Sequence, residues 1–172
     1  MNEKTDTNES TNTAAEVEPM RILKIATCPS LSGRSTLTYH VGCDKANAIV
    51  FRLWKNSSAG MFNKTWVSMA EVSKLLSSPE KITSTALQPL YEATSRNNAG
   101  FTLALLQGEG LIEKSVDNTR TYQTANPAPF LERINALIAS DVDLGEDGEP
   151  SDAVAMSGVA VPKRGRTKKQ SA

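Results

Sequence analysis

The sequence has few of the residues on which metal sites, disulfide frameworks and membrane spans depend. Its 172 residues include two cysteines, one histidine and 5% aromatic residues. Two cysteines are too few for a disulfide framework or a complete zinc site, so we expect no metal and no cofactor. No stretch approaches the roughly 20 apolar residues of a membrane-spanning helix, and the polar start lacks the apolar core of a secretory signal. We therefore expect a cytoplasmic protein without membrane association.

The common signatures of catalytic sites are missing as well. The chain has no GxxxxGK phosphate loop, no HExxH motif and no GxSxG motif. His40 stands three residues from Cys43, but a strand places these two positions on opposite faces. The polar segment 30–35 could hold a phosphate through Arg34, although Gly/Ser clusters between periodic segments are usually turns. We therefore predict that the protein is not an enzyme.

Charges of opposite sign are separated along the chain, although the formal net charge is zero. Residues 1–20 carry one base and five acids, and residues 21–140 carry thirteen bases and eight acids. Residues 141–160 carry six acids and no base, whereas residues 161–172 carry five bases and no acid. Such blocks are typical of solvated tails that meet partners. With little to bury, 1–20 and 141–172 are predicted to be disordered, and 21–140 to form the folded domain.

The first third of the domain alternates apolar and polar residues with the period of a β-strand. We predict one strand over 21–26, ended by the turn before Pro29. A hairpin is predicted from 35–41 and 49–54, joined by the polar turn 44–47. Together these strands predict an antiparallel sheet at the N-terminal end of the domain.

From about Thr65 the apolar residues recur at the three- and four-residue spacing of helices. The predicted elements are a helix over 66–76 with Trp66 on its apolar face, a short helix over 84–92 containing Pro89, a helix over 96–107, a hairpin of 111–116 and 120–124, and a closing helix over 128–139. The apolar stripe of the closing helix is compatible with completing the core or with pairing in a homodimer. The predicted fold class is α+β, with the sheet packed on this helical half.

The order of helix, short helix, helix and hairpin over 65–125 resembles the winged helix-turn-helix superfamily. The segment SRNNAGFTLALL resembles its recognition helix, and GEGLIEK resembles the step into the wing strand. The resemblance implies binding of double-stranded DNA, because a helix N-terminus favours phosphate and because Arg and Asn match guanine and adenine. The residues it implies as DNA contacts are Ser95, Arg96, Asn97, Asn98 and Thr102 on the helix, and Lys114, Asn118 and Arg120 on the wing.

The basic end of the chain, PKRGRTKK at 162–169, resembles an AT-hook, whose Arg-Gly-Arg core lies in a narrow minor groove. Thr167 stands where that motif has proline, so phosphate attraction is expected here rather than sequence reading. The implied contacts are Lys163, Arg164, Gly165, Arg166, Lys168 and Lys169. A nuclear-import-like run and a solubilising tail are the alternatives. We also hypothesise that the acidic residues 141–152 fold back onto this tail and mask it.

Trp54 and Trp66 bracket the loop 56–64, with Arg52, Lys55 and Lys64 nearby. Aromatic rings interleaved with bases stack on unpaired nucleotides. We favour the other interpretation, in which the rings pack the hairpin onto the first helix, because large aromatic residues dominate core packing.

The sequence as a whole favours a non-catalytic DNA-binding protein, either a small regulator or an accessory factor of a phage or mobile element. Such a protein would be nucleoid-associated in the cytoplasm. The alternative is a protein-interaction module, an inhibitor or scaffold, that acts on a nucleic-acid-processing complex, because a fold does not dictate its function.

Overall fold

The computed structural model describes residues 19–77, 81–91 and 96–150. A four-stranded antiparallel sheet is followed by a helical half that contains a two-stranded hairpin, and the fold is therefore α+β as predicted. The strands of the larger sheet are β1 (Arg21–Pro29), β2 (Thr36–Cys43), β3 (Ile49–Asn56) and β4 (Val67–Ser68), paired in that order.

Strand β1 is longer than the predicted 21–26, because it continues through Pro29, which pairs with Thr36. Proline lacks an amide hydrogen, and within sheets it is confined to edge strands, strand ends and bulges. The position is compatible with this rule because β1 is an edge of the sheet.

The turns that join the strands follow from their polar residues. Between β1 and β2, Ser30 donates its amide to Ser35 O, and Gly33 takes a positive φ of 68°. Between β2 and β3, Asp44 Oδ1 accepts the amides of Ala46 and Ala48, both at 2.8 Å. The predicted turn at 44–47 is confirmed, and the polar segment 30–35 is a turn between two strands.

The sheet has two faces with different contents. Leu37, Tyr39 and Val41 of β2 belong to the main hydrophobic core, which also includes Phe51 and Leu53 of β3. The residues that alternate with them turn to the opposite face, as the pleat requires. That second face carries polar and aromatic side chains, and it forms the cluster described below.

Helix α1 (Met69–Leu76) begins after a capping box. The Ser68 hydroxyl accepts the Glu71 amide, and the Glu71 carboxylate accepts the Ser68 amide at 3.2 Å. Because this cap fixes the first turn, the prediction that Trp66 lies on the helix is wrong. Trp66 precedes β4 and packs against the sheet, where its ring lies close to Gly42.

The predicted short helix is a 3₁₀ helix (Ser84–Leu90) that contains Pro89. It is followed by α2 (Arg96–Gly108), the hairpin strands β5 (Ile112–Lys114) and β6 (Tyr122–Thr124), and α3 (Ala128–Ala139). Ile82 forms an isolated antiparallel bridge with Tyr122 and so places the segment before the 3₁₀ helix beside the hairpin.

Helix α3 closes the core. Phe130 and Ile134 are each 1% exposed, and the Phe130 ring lies 5.8 Å from that of Phe51 on the sheet. The apolar stripe of α3 therefore completes the core within a single chain, which is one of its two interpretations. Pairing with a second copy stays a prediction.

The acidic segment, defined as residues 141–148, differs from the disordered tail that we expected. Arg21 pairs with Asp141 at 2.7 Å. The Ile22 amide donates to Asp143 Oδ1, and the Leu144 amide donates to Ile22 O at 2.9 Å. These contacts hold the segment along strand β1. The sequence did not indicate them, because the partners stand more than 100 positions apart in the chain.

Within the described ranges, no helix has the length and apolar character required to cross a membrane.

Candidate nucleic-acid interface

The beginning of α2 is covered in part by the loop that precedes β4. Asn97 is exposed, and its side-chain amide donates to Met61 O at 3.0 Å. Asn98 is 1% exposed, donates to Asn63 O at 2.8 Å and accepts the Asn63 amide at 3.1 Å. The loop is thus fastened to the start of the helix by hydrogen bonds from two consecutive asparagines.

The placement of Asn98 and Thr102 corrects the expectation that both side chains are accessible to a base edge. Thr102 is 2% exposed, and its hydroxyl is hydrogen-bonded to the Tyr91 hydroxyl after the 3₁₀ helix. Burial raises the pKa of Tyr91, so its hydroxyl stays protonated. The polar groups of Asn98 and Thr102 hold neighbouring parts of the chain together, and we remove both residues from the DNA-contacting set.

Two further residues of the predicted helix set are not placed by the structure. Ser95 lies outside the described residues, and of Arg96 only the backbone is described, as the first residue of α2. The basic-tail residues Lys163, Arg164, Gly165, Arg166, Lys168 and Lys169 lie outside the described residues as well, and with them the hypothesis that 141–152 masks that tail.

The hairpin presents the predicted wing residues at the surface. Lys114, Asn118 and Arg120 are all exposed. Asn118 shapes the turn, because its Oδ1 accepts the Arg120 amide at 2.9 Å and its carbonyl accepts the Thr121 amide at 3.0 Å. Neither Lys114 nor Arg120 has an ion pair with a described residue, so both cations are available to an anionic partner.

The second face of the sheet carries what we call the Trp–Arg cluster, formed by His40, Arg52, Trp54, Lys64 and Trp66. The Arg52 guanidinium carbon lies 4.5 Å from the ring centroid of Trp54 and 4.4 Å from that of Trp66. Lys64 Nζ lies 3.5 Å from the Trp54 centroid. The interpretation that these rings pack the hairpin onto α1 is therefore wrong, because both rings contact cations on the opposite face.

A histidine supports the Trp–Arg cluster from inside the sheet. His40 is fully buried, and its ring stacks on Trp54 with the centroids 4.8 Å apart. Arg52 Nε donates to His40 Nδ1 at 3.2 Å, so the proton of the neutral ring is on Nε2. Burial, with the neighbouring Arg52 charge, lowers the pKa of His40 to about 4. The ring is therefore neutral at physiological pH and acts as an acceptor for the guanidinium.

The acidic segment supplies the anion of the Trp–Arg cluster. Arg52 Nη2 donates to Glu146 Oε1 at 2.7 Å, and the Arg52 side chain is only 8% exposed whereas that of Glu146 is 60% exposed. The hydrogen bond from Arg52 and its charge lower the pKa of Glu146. The arrangement is a nearly buried guanidinium, flanked by two indole rings, that binds one oxygen of a largely solvated carboxylate.

Three buried nitrogen donors have no partner among the described residues, and the first two of them belong to the Trp–Arg cluster. They are His40 Nε2, Trp54 Nε1 and Asn56 Nδ2. A buried donor without an acceptor costs about 1–3 kcal/mol. Such groups in a native structure call for an explanation, and one explanation is a ligand that accepts hydrogen bonds.

A separate buried carboxylate, Glu109, joins the end of α2 to the sheet. Lys24 Nζ lies 2.6 Å from Glu109 Oε1, and the Tyr39 hydroxyl donates to the same oxygen at 2.6 Å. Burial and the Glu109 charge raise the pKa of Tyr39, and burial raises the pKa of the Cys28 thiol to about 12. Neither group is ionised near neutral pH. The contacts of Glu109 with Lys24 and Tyr39 hold the end of α2 against the sheet.

Cys43 lies in the core, on the face of β2 opposite His40, as their spacing predicts. Within the described ranges, no three His, Cys, Asp or Glu side chains are grouped as metal ligands. Comparison with protein-family models, curated proteins and solved structures finds no match to this chain.

Proposed function

We propose that the protein binds double-stranded DNA without catalysing a reaction. The hairpin wing and the start of α2 form the contact surface, and the basic tail adds phosphate contacts. The revised set on the folded part is Arg96, Asn97, Lys114, Asn118 and Arg120. Such a function is consistent with a nucleoid-associated regulator or an accessory factor of a phage or mobile element.

The observation that carries this proposal is the exposed pair of cations on the hairpin, neither of which forms an ion pair within the described ranges. Lys114 ends strand β5, and Arg120 lies within the turn that Asn118 shapes. The bridge between Ile82 and Tyr122 fixes the hairpin beside the helices, so the two cations project from a supported element. Cations held in this way position a protein on the DNA backbone, while exposed polar residues of a helix contact bases.

A test of the proposal compares two double variants of the full chain by salt-titrated binding to a labelled duplex. K114Q/R120Q removes the wing cations, and K74Q/K81Q removes two exposed lysines elsewhere as the matched control. The logarithm of the binding constant falls linearly with the logarithm of the salt concentration. Each lost phosphate contact makes that slope less steep by about 0.9. We expect K114Q/R120Q to make the slope less steep by about 2 and the control to leave it unchanged.

A chain ending at residue 160 measures the contribution of the basic tail. Loss of its five bases makes the same slope less steep by up to about 4.5. The proposal is overturned if the full chain does not bind duplex at low salt, or if the wing variant and its control weaken binding equally.

The protein-interaction module stays the second candidate, and two exposed apolar side chains are available for its test. Met61, in the loop over α2, is 86% exposed, and Val116, at the hairpin turn, is 92% exposed. If the module is correct, M61S/V116S abolishes binding of a partner protein and leaves the DNA affinity unchanged.

A further inference from the structure

The Trp–Arg cluster lies on the sheet, whereas the proposed duplex surface lies on the hairpin and α2. It unites a nearly buried guanidinium, two indole rings and an exposed lysine on one face. Guanidinium groups bind phosphate by paired hydrogen bonds, and indole rings stack on nucleobases. The cluster therefore has the chemistry of a site for one nucleotide of an unpaired strand.

We propose that the Trp–Arg cluster binds single-stranded nucleic acid, and that Glu146 occupies the phosphate position when no strand is bound. The carboxylate oxygen of Glu146 lies 2.7 Å from Arg52 Nη2, the distance of a charge-assisted hydrogen bond. A phosphate oxygen fits the same donor with the same geometry. This proposal is independent of duplex binding by the wing.

The occupant is replaceable because it is weakly held. The Glu146 side chain is 60% exposed, and Arg52 is its one described hydrogen-bond partner. Because the Glu146 carboxylate is already largely in solvent, its release requires little rearrangement, and an anion that also stacks on an indole ring competes with it. Upstream, Arg21 and Ile22 hold the acidic segment, which therefore stays attached while its distal part leaves the cluster.

The unpartnered donors point to a ligand rich in acceptors. His40 Nε2 and Trp54 Nε1 are both N–H groups of the cluster, and no described residue accepts from them. The carboxylate of Glu146 leaves both unpaired. Phosphate oxygens and base carbonyls are acceptors, and a nucleotide supplies both kinds, whereas an acidic peptide supplies no aromatic face for Trp54 or Trp66 to stack on. We therefore favour a nucleic-acid strand over an acidic peptide.

The chain offers a direct signal for this site, because Trp54 and Trp66 are its only tryptophans. Stacking of a base on either ring quenches intrinsic fluorescence, whereas binding at the wing or the basic tail does not involve an indole. The experiment titrates the full chain with a 15-residue oligothymidylate at low salt, and separately with an abasic strand of equal length and with a polyglutamate peptide. We expect the thymidylate to quench and the other two to leave the fluorescence unchanged.

Two variants test the role of the acidic segment. E146Q removes the competing charge and is expected to tighten thymidylate binding about two- to fivefold. E149Q, which changes a nearby exposed glutamate without a described partner, is the matched control and should leave the affinity unchanged.

G148V alters no charge but is expected to displace the acidic segment from β1. A Cβ on Gly148 would lie 2.7 Å from Leu144 O and 2.9 Å from Ile25 Cδ1, so the segment must shift. G148V should tighten binding as E146Q does. Circular dichroism of each variant confirms that it is folded.

Variants of the cluster itself complete the test. K64Q removes the exposed cation over Trp54 and is expected to weaken binding about threefold. K74Q removes an exposed lysine on α1 and should have no effect. The proposal is overturned if thymidylate does not quench the fluorescence of E146Q. It is also overturned if polyglutamate quenches as strongly, or if E146Q and E149Q shift the affinity equally.

Discussion

His40 is a buried side chain that makes the stability of the fold depend on pH. Its neutral ring accepts from Arg52 and stacks on Trp54, and a second proton would place a charge beside that guanidinium. The charged groups that act on the ring are Arg52, Glu146, Lys64 and Lys55, and all except Glu146 lower its pKa. Protonation of His40 therefore opposes the folded state.

The stability of the protein should fall as the pH falls from about 6.5 to about 4. In the unfolded chain His40 takes a proton near its ordinary pKa of 6.5, whereas in the folded chain its pKa is about 4. The unfolded state therefore binds more protons in this window, and the free energy of unfolding falls by about 3 kcal/mol across it. Above pH 6.5 His40 makes no contribution to the pH dependence. Urea denaturation at pH 7.5, 6 and 5 measures this change.

The variant H40Q supplies the control for this pH dependence, because it has no imidazole to protonate. Its free energy of unfolding should be lower than that of the unchanged chain at pH 7.5. It should also change less between pH 6.5 and pH 5. Glu146 acts at lower pH, since its lowered pKa contributes stability that is lost only as the pH falls below its ordinary value of 4.5. Parallel losses in H40Q and the unchanged chain above pH 5 would contradict the role given to His40.

Glu109 is the second residue whose charge matters to stability. Its side chain is 1% exposed, and Lys24, at 15% exposure, is its ion-pair partner. We expect E109Q to lower the free energy of unfolding by about 3 kcal/mol, because it leaves the Lys24 charge without compensation. The exposed Glu113 gives a matched variant, E113Q, which should change stability by less than about 0.5 kcal/mol. Equal effects in chemical denaturation would refute the importance of this pair.

At the scale of elements, the cap of α1 fixes where that helix begins. S68A removes the hydroxyl that accepts the Glu71 amide and should cost about 1 kcal/mol of unfolding free energy. E71A removes the reciprocal bond, and S68A/E71A should cost less than the sum of the two single changes, because both act on one capping box. Thermal denaturation measures all three variants. Strict additivity would show that the two bonds act independently.

Local patterns predicted most elements because their causes are local. Helix α3 occupies the predicted 128–139, and α2 ends one residue beyond the predicted 107. Trp66 fits the helical spacing of Met69 and Val72, but the Ser68–Glu71 capping box starts the helix after it. The predicted start of α1 was wrong because the helical spacing of apolar residues extends to Trp66, whereas the capping box sets the first turn after Ser68.

The Trp–Arg cluster could be predicted only in part. Arg52 and Trp54 alternate with core residues of β3, and that alternation places them together on the outer face. Glu146 is 94 positions from Arg52, and no sequence pattern connects the two. The burial of Asn98 and Thr102 escaped prediction for the same reason, since their partners, Asn63 and Tyr91, belong to other segments.

At the scale of the whole molecule, acids of the block 141–160 pair with bases of the sheet. Asp141 pairs with Arg21, and Glu146 pairs with Arg52. The acidic block is thus used in part within the domain, whereas Lys114 and Arg120 on the hairpin keep their charge unpaired among the described residues. The hairpin carries the exposed acids Glu113 and Asp117 beside these two bases, and the sheet face keeps the exposed Lys64 in addition to the Arg52–Glu146 pair.

The pairing of the acidic segment with β1 has a consequence for self-assembly. An uncovered edge strand offers its amides and carbonyls to any other strand, including one from a second molecule. Here the carboxylate of Asp143 and the amide of Leu144 engage the amide and the carbonyl of Ile22. The segment thereby occupies the edge at Ile22, and we expect it to hinder the pairing of a second strand with this end of β1.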